Sequence, residues 1–274
     1  MTPDSFDKHA VYLVLDGGLG NQMFQYAFAL ALAQHKKARL YLTLYRFYKN
    51  NRRNYLLGGF DLKAFVILEK FFSPFPYTFE PHYHYWHGWR DVALPCRLLG
   101  YWQSERYFQD IKEQIHTIFA LNRFRNHENT DIFRQIQQAE HSVGVHIRRG
   151  DYLVKKHLQH HGIMCADYYE KARTLIEARY PQATFFIFSD EPKRAYQELG
   201  HWSRTHFVVH NNNPYQEMML LSACHHQIIA NSSFSWWAAW LNRYPDKKVI
   251  APHQWFLDKT LDTTDLIPSG WLKL

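Results

Sequence analysis

Cysteine is scarce in this chain. Cys96, Cys165 and Cys224 stand far apart among 274 residues. An odd number with no CxxC pair excludes a disulfide ladder and fits a reducing compartment. No run approaches the roughly 18 apolar residues of a membrane span. The start, Met1-Thr-Pro-Asp-Ser-Phe-Asp-Lys8, is polar and has no apolar signal-peptide segment. Basic residues exceed acidic ones by only 32 to 25, a net charge of +7, and form no long Lys/Arg run. That excludes the basic stripe of a nucleic-acid binder and leaves a weak bias toward an anionic ligand. The expectation is a cytoplasmic protein without a transmembrane segment; peripheral contact with a membrane stays open.

Apolar and aromatic residues are plentiful, at 46% and 17%, which excludes disorder. Histidines are also many, and His82, His84 and His87 lie close together, but no cysteine joins them and the spacing is not a zinc pattern. No metal is expected.

The polar chemistry concentrates in Val143-Gly-Val-His-Ile-Arg-Arg-Gly-Asp-Tyr152. Val143, Val145 and Ile147 alternate with Gly144 and His146, a short strand running into a polar loop. Two adjacent guanidiniums, Arg148 and Arg149, suit a diphosphate, whose oxygens match the planar fork. Asp151 either meets a substrate or holds one arginine. A surface arginine pair without a ligand is the competing interpretation.

Residues 10–16 read as a buried parallel strand, followed by the glycine loop Gly17-Gly18-Leu19-Gly20-Asn21-Gln22 and an Ala-rich helix over 23–34. Strand, glycine loop and helix start bring backbone N–H groups to an anion. The loop lacks the third glycine of a dinucleotide fingerprint and any GK[ST], so a tight turn without a ligand fits equally. A second strand is expected over 38–44. Residues 72–89 are rich in aromatic rings, either core or a platform for the apolar face of a sugar. A helix is expected over 108–119. The polar residues 122–131 form the best linker and divide the chain into domains 1–125 and 126–274, with the option that the C-terminal tail packs back on the first.

After the linker, strands are expected over 142–147, 183–188, 206–209, 225–230 and 248–251. Helices are expected over 167–179, 193–199, 214–224 and 236–241. Repeated strand–helix units indicate an α/β fold with parallel sheets. Ligands then bind beyond the carboxyl ends of the strands. Asp16-Gly17-Gly18, Arg148 to Asp151, Ser189-Asp190-Glu191 and Asn231-Ser232-Ser233-Phe234-Ser235 all follow predicted strands directly. The last reads as a hydroxyl-rich helix start, either a phosphate cradle or a plain N-cap.

Three blocks carry a resemblance. Gly17 to Tyr26 (GGLGNQMFQY), His146 to Tyr152 (HIRRGDY) and Asn231 to Trp240 (NSSFSWWAAW) resemble, in order and spacing, those of the bacterial α-1,2-fucosyltransferases. The resemblance spans the chain from its first strand to its last helices, and the combination is more specific than any single block.

It implies a GT-B-like architecture, two Rossmann-type domains facing across a cleft, the first on the acceptor side and the second binding GDP-L-fucose. It implies inverting transfer of L-fucose to the 2-hydroxyl of a terminal β-galactoside, without metal or other cofactor. Arg148 matches the arginine on the donor β-phosphate; Arg149 supports the loop and the donor. His146 lies near the nucleotide, and Asp190 close to it. Gly18, Gly20 and Asn21 match the N-terminal diphosphate contact. Asn231 and Ser232, Ser233, Phe234 and Ser235 match the hydroxyl cluster. Glu217 falls where an acidic group accepts from guanine in the α-1,6 branch.

The α-1,6 branch also carries a glutamate a few residues beyond its arginine block. Lys155 and Lys156 stand there in this chain, so that role does not carry over. Asp151, His157 and Asp16 are the candidates for a base, with Asp151 preferred. Partners would be GDP-L-fucose and a β-galactoside-terminated oligosaccharide or lipid-linked glycan, with residues 72–89 a candidate acceptor wall. A protein O-fucosyltransferase would call for secretory targeting and disulfides. A non-catalytic nucleotide-sugar or glycan-binding protein would keep the fold and bind GDP without turnover.

Overall fold

The computed structural model describes residues 6–50, 54–67, 75–126, 129–149, 162, 164–208 and 213–274. The chain divides into two compact units. One runs up to Phe119 and takes back Asp262–Pro268; the other holds Ala120–Leu261 and Ser269–Leu274.

In the first unit, β1 (Ala10–Val14) leads into α1 (Leu19–His35), then β2 (Arg39–Thr43) and the short α2 (Tyr45–Asn50). β3 (Phe65–Ile67), β4 (Tyr77–Phe79) and β5 (Cys96–Leu99) complete a parallel sheet of order β3-β2-β1-β5-β4. α3 (Lys112–Ile118) follows. β1 is buried throughout, as a continuous apolar run requires of a central strand. α1 is buried on nearly every side, an interior helix rather than an amphipathic one.

The helix begins at Leu19, earlier than the expected 23. Gly18 is its extended N-cap, and Gly20 and Asn21 sit in the first turn. N–H groups there need no intrahelical partner, so weak helix formers are tolerated. The aromatic stretch divides as well, with 72–74 outside the described residues. Tyr85 and Trp89 are core. Phe28 stacks on Trp102 at 4.1 Å between ring centroids and meets Trp89 and Tyr107 edge-on. Phe79, on the edge strand β4, is exposed.

In the second unit, α4 (Thr130–Gln138) precedes β6 (His141–Ile147), then α5 (Ala166–Arg179), β7 (Ala183–Ser189), α6 (Pro192–Leu199) and β8 (Thr205–Phe207). α7 (Pro214–Ala223), β9 (His226–Ile228), α8 (Ser233–Leu241), β10 (Val249–Ala251) and β11 (Leu272–Lys273) finish it. The sheet is parallel, of order β11-β10-β9-β6-β7-β8. The expected linker over 122–131 ends inside α4, a helix its polar composition hides.

β6 is covered on both faces. Val143, Val145 and Ile147 join one cluster with Tyr169, Ala172 and Ile176 of α5. The alternate residues face the other way: a Cβ on Gly144 would lie 2.6 Å from Leu221 Cδ1 in α7, and the His146 ring lies 5.5 Å from that of Phe234 in α8.

Each sheet has one point where the strand order reverses. In the first it lies between β1 and β5, in the second between β6 and β9. Crevices at such points are where parallel α/β sheets bind ligands.

The amino edge of the second sheet gathers His141, His225 and His226. His226 stacks on Tyr180 at 4.4 Å and lies 5.9 Å from the His141 ring. His226 Nδ1 accepts from Lys248 N–H at 3.1 Å, and Nε2 has no hydrogen-bond partner among the described residues. Burial first, then repulsion from His141, His225, Lys248 and Arg179, pushes its pKa from 6.5 down to about 4. The unfolded chain therefore binds the extra proton first. The stability this neutral imidazole contributes is complete above the unfolded value and drains away as pH falls from 6.5 toward 4. We expect a loss approaching about 1.4 kcal/mol per pH unit in that window. Urea unfolding at stepped pH checks it; His226→Gln should flatten the slope.

Candidate active site

The second sheet's switch point gathers three of the four polar clusters. Arg148 and Arg149 follow β6, Asp190 follows β7, and Asn231 to Ser235 follow β9. Asp190 organises the first two. Its carboxylate pairs with Arg148 Nη1 at 2.9 Å and accepts the Arg149 backbone N–H at 2.8 Å.

The two arginines differ. Arg149 is 2% exposed. Its guanidinium donates to the Met164 carbonyl at 2.7 Å and pairs with Glu198 on α6, which also binds Arg194 at 3.2 Å. Arg148 keeps a quarter of its side chain exposed, at 25%. Arg148 is thus the more exposed of the two, and Arg149 the one held from inside by Glu198 and the Met164 carbonyl. A guanidinium can meet phosphate oxygens through two N–H groups of its planar fork at once.

Beside it, Ser232 is the extended N-cap of α8 and its side chain makes no capping bond. Asn231 is 1% exposed and donates to the Trp255 carbonyl at 3.1 Å. Ser235 is buried and donates to the Ala230 and Ser232 carbonyls at 3.4 and 3.2 Å. Asn231 and Ser235 therefore shape the helix start, while Ser233 and Phe234 are half-buried. Tyr168 ties the same edge together, donating to Ile229 and Ile250 carbonyls at 2.7 and 3.2 Å. His146 is buried against Phe234, and its carbonyl accepts from Tyr169 at 3.1 Å. Glu217 lies in the first turn of α7, which Asn213 caps by accepting from Tyr215 and Gln216 N–H at 3.1 and 3.3 Å. Asp151 and His157 lie outside the described residues.

The first sheet's switch point holds the glycine loop. Gly17 has φ of +81°, a conformation that favours glycine, and a Cβ there would sit 2.8 Å from Asn21 Nδ2. Gly18 faces open space. Asp16 accepts the Gly17 N–H at 2.8 Å and pairs with Arg46, so its carboxylate is already engaged. Gln22 is fully buried and bonds the Gly17 carbonyl, the Asn54 carbonyl and the Leu56 N–H, each at 2.9 Å. Gly17→Ala should cost about 1–3 kcal/mol through backbone strain and displacement of Asn21. Chemical denaturation measures that cost, and donor affinity should fall with it.

Sequence reasoning missed Glu198, Tyr168, Tyr169, Gln22, Gln25 and Glu80. Gln22 and Gln25 stand in the first block without having been given a role, and the other four belong to no local motif. The one available signal was a glutamine pair inside an otherwise apolar helix, which buried positions rarely tolerate without partners. Among the described residues, no group of three or more His, Cys, Asp or Glu is placed to hold a metal ion. No described helix is long and apolar enough to cross a membrane.

Comparison with known proteins adds to this geometry. The family described as Glycosyl transferase family 11 matches residues 15–273. An alpha-1,2-colitosyltransferase of Escherichia coli is 34% identical over 95% of this chain and 97% of its own. The galactoside alpha-(1,2)-fucosyltransferase 1 of Leontocebus fuscicollis is 27% identical over 82% of this chain and 64% of its own. A crystal structure of NodZ alpha-1,6-fucosyltransferase with GDP superposes with a TM-score of 0.53 at 13% identity, over 85% of this chain and 92% of that one. That likeness bears on the fold, which is of the GT-B type: two units, each built on a parallel sheet.

Proposed function

The chain belongs to glycosyl transferase family 11, and we propose that it transfers L-fucose from GDP-L-fucose to the 2-hydroxyl of a terminal β-galactoside, forming an α-1,2 linkage without a metal ion. The observation that carries this reading is the partly exposed Arg148, paired with Asp190 at the carboxyl edge of the second sheet, where α8 also starts. Cleavage of the donor C1–O bond leaves GDP with growing charge on its β-phosphate. A fixed guanidinium and helix-start amides stabilise that charge in place of a divalent ion.

Arg149 supports the loop through Glu198. Asn21 and the glycine-loop amides are assigned to the diphosphate, as are Ser232 and Ser233, and Glu217 to the guanine edge. The acceptor hydroxyl loses its proton as its oxygen bonds to C1; Asp151 is the preferred base, since Asp16 is held by Arg46. The acceptor is a galactoside-terminated oligosaccharide or lipid-linked glycan.

Likeness to the colitosyltransferase favours a second reading of the donor. Colitose is L-fucose without its 3-hydroxyl, so a pocket built to bond that hydroxyl would discriminate strongly between the two. Calorimetry with GDP and UDP in EDTA tests the donor assignment. GDP should bind at least about tenfold more tightly, and Glu217→Gln should narrow the gap. Equal affinity for both would contradict it.

A further inference from the structure

Glu80 follows β4, in no motif, yet it grips the first sheet's switch point. Its two carboxylate oxygens accept consecutive backbone N–H groups, Tyr101 at 2.7 Å and Trp102 at 2.8 Å. Both amides belong to the turn that leaves β5. A Cβ on Gly100 would come within 2.4 Å of the Glu80 Cβ, so glycine is what lets the carboxylate close on the turn. Trp102 holds φ of +56°, which L residues avoid, and its buried ring stacks on Phe28 at 4.1 Å. Such a conformation persists only where its surroundings fix it. The carboxylate bridge supplies one constraint and the ring stack the other.

The same turn is bonded to both ends of the glycine loop. Gln25, 1% exposed, donates to the Gly100 carbonyl at 2.9 Å and accepts the Asp16 N–H at 3.1 Å. Gln103 donates to Asn21 Oδ1 at 2.9 Å. Hydrogen bonds therefore run from Glu80 through the turn to Asp16 on one side and Asn21 on the other.

We propose that Glu80 is a positioning residue for sugar transfer: by clamping the turn Gly100 to Gln103 it sets where the loop Asp16 to Asn21 presents its amides to the donor diphosphate. The ligand of that loop rests on the transferase reading above.

The clamp titrates near neutrality. Burial raises the Glu80 carboxyl from 4.5 to about 7, against the lowering effect of the two amide bonds. Ionised, both oxygens accept. Protonated, one oxygen becomes a donor facing an N–H, and one bond is lost. The titratable groups around it among the described residues include Tyr83, Tyr101 and Tyr107, whose hydroxyls are raised first by burial and further by the Glu80 charge, while Asp16 raises and Arg46 lowers that of Tyr101. The clamped form is the ionised one, so donor use should rise with pH through about 7.

The test is kcat and KM for the donor across that pH range, in wild type, Glu80→Gln and Gln103→Met, with melting temperature and GDP dissociation constants alongside. Wild-type kcat/KM should rise with a midpoint near 7. Glu80→Gln should lower it about tenfold on the alkaline side and flatten the rise. Gln103→Met should lower it while keeping the rise, because Glu80 still titrates. Wild-type kcat/KM and pH profile in Glu80→Gln, or a loss confined to melting temperature, overturns the proposal. If Glu80→Gln fails to fold, unchanged donor kinetics in Gln103→Met overturns it. No transfer by wild type would sink the transferase reading instead. The GDP dissociation constants then carry the test, and a wild-type-to-variant ratio that does not change with pH overturns the proposal.

Discussion

Arg148→Ala should lower kcat by about 10³-fold, with GDP affinity falling only about tenfold. The asymmetry follows from where the charge is. In the proposed ground state, helix-start amides already meet the diphosphate, and Arg148 is one contact among several. In the proposed reaction, charge accumulates on the β-phosphate as the C1–O bond breaks, and the Arg148 guanidinium, paired with Asp190 at 2.9 Å, supplies a full positive charge to meet it. Arg148→Lys keeps a charge without the planar fork and should recover only part of the rate. Steady-state kinetics with a radiolabelled donor and calorimetry with GDP separate the two effects. Equal losses in kcat and GDP affinity would make Arg148 a binding group only.

Removal of Glu198 should destabilise the second unit by about 3–5 kcal/mol, the cost of leaving a buried charge without its partner. Arg149 is 2% exposed, and among the described residues the Met164 carbonyl would remain to its guanidinium. The reverse substitution, Arg149→Met, should cost less. Glu198 is 21% exposed on its side chain and keeps Arg194 at 3.2 Å. The double variant Arg149→Met with Glu198→Leu should be more stable than Glu198→Ala alone, because no charge is stranded. Urea unfolding monitored by tryptophan fluorescence gives all three values. Equal destabilisation by either single change would mean that Arg149 finds another partner when Glu198 is lost.

The organisation of both sheets was legible because parallel strands buried on both faces read as apolar runs, and the polar groups that follow them mark the carboxyl edge. β1, β6 and β7 announce themselves in this way. β3 and β4 do not: three residues at a sheet margin, with Phe65 and Phe79 exposed, leave no periodicity to detect. α4 hides behind asparagines that belong to its start.

The site was legible only where its residues are consecutive in sequence. The arginine pair, the glycine loop and the Asn231–Ser235 run are local motifs. What orients them is not local: Glu198 reaches Arg149 from α6, and Glu80 reaches the turn after β5 from the end of β4. The resemblance gave Arg148 the β-phosphate and Arg149 a supporting part, a distinction that the residue pattern itself, two arginines after one strand, does not carry. Burial separates them, and burial depends on α6 packing behind the loop.

The most direct test is transfer from GDP-L-fucose to lactose in EDTA, with the linkage of the product read by NMR. Expected is an α-1,2-fucosylated galactose formed at the same rate with and without added magnesium, and about 10³-fold more slowly with Arg148→Ala. A different linkage, or a rate that collapses in EDTA and returns with a divalent ion, would contradict metal-independent α-1,2 transfer.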